Sequence, residues 1–95
     1  MKKTVDRKHF QRIMRRIRLA KEKEEKVFGT KVSATGYART LYSVFNGGKT
    51  ENNESIFDYA IPSTRRVYRE LIKELAEYEL PDILVAPEIH HFINV

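Results

Sequence analysis

The stretch that decides the fold is Thr35-Gly36-Tyr37-Ala38-Arg39-Thr40-Leu41-Tyr42-Ser43-Val44-Phe45-Asn46-Gly47-Gly48. Leu41, Val44 and Phe45 recur at helical spacing, and Tyr37 lies four residues earlier on the same side, so residues 37–46 read as a short helix with one apolar stripe. Gly47-Gly48 after Asn46 is a helix stop. On the N-terminal side Thr35-Gly36 reads as a turn, because glycine takes positive φ at little cost. Before it, Val27 to Ala34 places Phe28 and Val32 four apart. The local pattern therefore predicts two short helices flanking a tight turn.

Outward from this unit the helical period continues. From Val5 to Lys26 the apolar positions Phe10, Ile13, Met14, Ile17 and Ala20 fall on one face, with Thr4 as N-cap. Arg7, Lys8, Arg12, Arg15, Arg16 and Arg18 cover the remainder. The alternating charges of Lys21 to Lys26 read as solvated final turns with i,i+4 pairs. Downstream, Asn52 or Asn53 caps a short helix through Ile61, with Ile56, Phe57 and Ala60 inward, and Pro62 ends it. Ser63 or Thr64 then caps a longer helix to about Glu79, with Val67, Leu71, Ile72, Leu75 and Tyr78 on one face. Arg65, Arg66 and Arg69 with Glu70, Lys73, Glu74 and Glu77 make its outer side, where a Glu70–Lys73 pair is expected at i,i+3. The tyrosines at 37, 42, 59, 68 and 78 read as packing groups.

The chain has 95 residues, which sets it at one domain. Hydrophobic residues make up 41% and charged residues 33%, a balance that excludes a fully disordered chain. There is no cysteine, which excludes a disulfide scaffold, a cysteine zinc site and thiol catalysis. No apolar run approaches the ~20 residues that cross a bilayer, so a soluble cytoplasmic protein is expected. Charge is uneven. Residues 1–49 carry 14 Lys/Arg against Asp6, Glu22, Glu24 and Glu25, and residues 50–95 carry four against nine acids; the halves are +10 and −5, together the +5 of the chain. A basic half attracts polyanions, and counterion release supplies affinity for nucleic acid.

On these residues the run from Thr35 to Gly47 resembles the turn and recognition helix of the phage-repressor-type (Cro/C1, or xenobiotic-response-element type) helix-turn-helix family. Asn52 to Ala60 is similar to that family's fourth helix. Val32 stands where such domains usually carry alanine. The resemblance implies an all-α, five-helix helix-turn-helix domain over residues 1–79, with residues 80–95 as a short extended C-terminal tail serving as an arm or dimerisation segment. It implies a transcriptional regulator that places a recognition helix at about 37–46 in the major groove of double-stranded DNA, nucleoid-associated in the cell.

The exposed side of that helix would offer Ala38, Arg39, Thr40 and Ser43 to base edges, with Arg39 able to pair bidentately with guanine. Arg12, Arg15, Arg16, Arg18, Lys31, Thr35 and Lys49 are the expected phosphate contacts, which position without specifying. The long last helix and the apolar tail (Ile83-Leu84-Val85, Phe92-Ile93-Val95) suggest a homodimer with half-sites one DNA turn apart. The rival reading is a small phage-type inhibitor or interaction module whose basic first helix docks on an acidic protein; RNA binding and a membrane-surface helix rank below it. Spacing offers no catalytic set, and no cofactor or metal is expected: the His90-His91 pair after Glu88 could bind a metal, but adjacent histidines point apart and no third ligand follows at regular spacing.

Overall fold

The computed structural model describes residues 2–80. It holds three helices and a short parallel strand pair, which corrects the expected five-helix architecture. The order is β1 (Lys3–Thr4), α1 (Arg7–Phe28), α2 (Ala34–Phe45), a 3-10 turn (Ile56–Tyr59), α3 (Pro62–Glu74) and β2 (Tyr78–Glu79). Residues 81–95, with the expected tail contacts and the Glu88, His90 and His91 group, lie outside the described residues.

Helix α1 starts at Asp6 rather than Thr4: the Asp6 carboxylate accepts the His9 amide at 2.7 Å, and Thr4 belongs to β1. It runs past Lys26 to absorb Val27 and Phe28. It stops at Gly29, whose φ of 74° lets its amide reach the Glu25 carbonyl at 2.8 Å. Residues 29–33 are not helical, so the first helix of the expected helix-turn-helix does not form. Ser33, not the Thr35-Gly36 pair, opens α2; its hydroxyl accepts the Gly36 amide at 3.1 Å. Gly36 is thus the third residue of a helix. Its missing Cβ has a packing use, since a Cβ there would stand 2.7 Å from Val32 Cγ1.

The expected helix after Asn53 is a single 3-10 turn capped by Ser55. Before it, Lys49 and Ser55 form an antiparallel bridge that closes a polar loop. Pro62 begins α3 instead of ending the preceding element; its missing amide is no loss at the first helical position. The Thr64 hydroxyl accepts the Ile61 amide at 3.1 Å. Helix α3 ends at Glu74, five residues before the expected stop, and the chain turns so that Tyr78 and Glu79 pair in parallel with Lys3 and Thr4.

The three helices pack pairwise around one core of Phe10, Ile13, Met14, Ile17, Leu41, Val44, Tyr68, Leu71 and Leu75. The apolar face expected on α1 is the buried one.

Candidate nucleic-acid interface

One helix turns a row of cations to solvent. With Phe10, Ile13, Ile17 and Ala20 inward, the opposite side of α1 carries Lys8, Arg12, Arg15, Lys23 and Lys26, all exposed. Among the described residues none of the five forms an ion pair. From Lys8 to Lys26 the row covers about 27 Å of helix at roughly 1.5 Å per residue. Leu19, 54% exposed, sits at its centre.

Two of the expected phosphate contacts on α1 are engaged elsewhere. Arg16 lies 3.2 Å from Glu70 and 3.6 Å from Glu74, which ties α1 to α3. Arg18 pairs with Glu22 at 3.3 Å along α1. Arg12 and Arg15 stand in the open row, and Lys31, Thr35 and Lys49 are exposed outside α1.

On α2 the expected base-reading set divides. Arg39 is exposed, whereas Ala38 is half-buried against the core. Thr40 and Ser43 are buried, and their hydroxyls donate back along the helix to the Gly36 and Arg39 carbonyls at 2.9 and 2.7 Å. In this geometry neither hydroxyl faces a groove. The expectation rested on treating small hydroxyl residues as outward; Thr40 and Ser43 flank Leu41 and Val44 closely enough to share the buried side.

A buried polar cluster fixes how α1 is rotated. Lys21 and Glu24, expected in a solvated stretch, are 7% and 4% exposed. Lys21 Nζ lies 3.0 Å from Glu24 Oε1. The Tyr68 hydroxyl donates to Glu24 Oε2 at 2.7 Å, and Lys21 Nζ stands 5.4 Å from the Tyr68 ring centroid. Burial first, and the adjacent Glu24 carboxylate second, push the Tyr68 pKa well above the ordinary phenol value. A sequence signal was present: Lys21 and Glu24 lie four and seven residues after Ile17, on the apolar face.

The outer side expected on α3, Arg65, Arg66 and Arg69 beside Glu70, Lys73, Glu74 and Glu77, is exposed, but its charges divide. The four basic residues of the second half, Arg65, Arg66, Arg69 and Lys73, are all exposed on this one helix. Glu70 and Glu74 turn instead toward Arg16 and His9 of α1, so the expected Glu70–Lys73 pair is replaced by a contact between helices. Arg65 donates to the Phe57 carbonyl at 3.3 Å, and the Arg69 guanidinium lies 5.7 Å from the Phe57 ring centroid.

No helix among the described residues is long and apolar enough to cross a membrane. Comparison of the chain with protein-family models, curated proteins and solved structures finds no match.

Proposed function

We propose that this protein binds double-stranded DNA through the outer face of α1 and acts as a small DNA-associated regulator. The observation that carries the reading is the row of Lys8, Arg12, Arg15, Lys23 and Lys26, which lacks carboxylate partners among the described residues. A straight helix with such a row suits the phosphate backbone, where contacts position the protein without reading sequence. A major groove ~12 Å wide admits a helix of this kind. Arg39 remains the exposed long donor on α2 for any contact to a base edge.

The test is fluorescence anisotropy with a labelled random-sequence duplex across a salt series. If five phosphates are neutralised, log affinity falls against log salt with a slope of about −4 to −5. Arg15→Ala should shallow that slope by about one and weaken all duplexes alike. Absence of binding at low salt refutes the reading. Leu19 favours a second one, docking on an acidic protein surface, because an apolar residue amid cations adds nothing to phosphate contact. Under the DNA reading, Leu19→Ala leaves duplex affinity within about twofold.

A further inference from the structure

The acidic balance of residues 50–95 conceals a second basic surface. All four of that half's cations, Arg65, Arg66, Arg69 and Lys73, emerge from the outer side of α3, within about 12 Å of helix at roughly 1.5 Å per residue. They cluster because the same helix turns Glu70 and Glu74 to α1. Among the described residues none of the four is neutralised by an ion pair. The Phe57 carbonyl and ring hold Arg65 and Arg69 in place, which lowers the entropy lost when they meet an anion.

This surface is not an extension of the α1 row. Each of three helices packed pairwise presents its outer side in its own direction. Between the outer sides of α1 and α3 runs the Arg16–Glu70–Glu74 seam, whose two carboxylates keep side-chain exposures of 59% and 45%. Phosphates laid across that seam meet repulsion at its middle. A stiff duplex seated on α1 therefore does not also cover α3.

Resting on the reading of α1 as a duplex-binding face, we infer that the outer face of α3 is a second, separate polyanion-binding surface and that one molecule joins two DNA duplexes. The narrower α3 row is the weaker of the two.

A bridging assay tests this with the full chain: beads carrying one biotinylated duplex, a second fluorescent duplex in solution, and protein below the concentration of duplex. The wild-type chain should retain the fluorescent duplex on the beads. Arg66→Glu combined with Lys73→Glu should reduce that recovery at least tenfold, with single-duplex affinity held within about threefold. Neither side chain makes a contact in the core, and circular dichroism checks that the variant folds. Three results overturn the inference: duplex binding without bridging, bridging that survives the double variant, and loss of single-duplex binding in that variant. The first leaves the α1 reading intact, the second assigns bridging to self-association, and the third merges the two surfaces into one. Failure of the wild-type chain to bind any duplex removes the α1 reading as well.

Discussion

Replacing Tyr68 by phenylalanine removes one oxygen from the centre of the molecule and little else. The ring stays, so its packing and its contact with Lys21 persist. What is lost is the 2.7 Å hydrogen bond to Glu24 Oε2, leaving that oxygen of a 4% exposed carboxylate without its donor. A hydrogen bond to a charged group is worth roughly 1.5–3 kcal/mol, so the expected loss at pH 7 is about 2 kcal/mol. For a domain this size that lowers Tm by about 8–16 °C.

The pH dependence gives a second, independent readout of the same change. Burial and Glu24 raise the folded-state pKa of Tyr68 above its ordinary 10.0, so above pH 10 the unfolded chain releases a proton that the folded one keeps. That contribution is complete below pH 10 and declines as pH rises, by about 1.4 kcal/mol per unit from this one group. The Tyr68→Phe variant lacks the group and lacks the decline. Guanidinium unfolding from pH 7 to 11 should therefore show the gap between the two proteins closing above pH 10. Parallel curves, or a Tm change under about 2 °C at pH 7, would refute the buried placement of the cluster.

Other substitutions probe separate parts of the structure. Glu24→Gln should cost at least as much as Tyr68→Phe in the same denaturation assay, because it strands the buried Lys21 ammonium. Gly36→Ala should destabilise by about 1 kcal/mol through contact with Val32, and the sign should reverse in a Val32→Ala background, where helix propensity dominates. Ser33→Ala removes the α2 cap and should cost about 1 kcal/mol by thermal melting. Thr40→Ala and Ser43→Ala should each leave duplex affinity within about twofold by anisotropy; a tenfold loss from either would contradict their inward orientation.

The amphipathic face of α1 was legible because five apolar residues kept helical spacing over three turns. Lys21 and Glu24 were not, because their charge suggested solvent while their position continued the buried face. The boundary between α1 and α2 turned on which glycine stops a helix. Gly29, in the left-handed region and followed by the Ser33 cap, does so; Gly36 sits inside α2, spared a side chain by the proximity of Val32. The β1–β2 pair left no trace in the sequence, since two residues carry no period and their partner lies more than seventy positions away. On α1, Arg12 and Arg15 followed from the helical wheel; Lys23 and Lys26 did not, because the alternating charges around them suggested pairs along the helix, and Arg16 and Arg18 are held by carboxylates instead. The same periodicity put Arg65, Arg66, Arg69 and Lys73 on the outer side of α3, but not as a basic surface, because Glu70 and Glu74 share that side in sequence and only the fold turns them toward α1.

The pairing of Lys3 with Tyr78 closes the helices that lie between them into a ring. Rewiring such a ring is a mild operation. A circularly permuted gene opened between Asn52 and Asn53, in the exposed loop that the Lys49–Ser55 bridge closes, with residues 81–95 kept as the link to Met1, would encode the same helices in a new order around an unaltered interior.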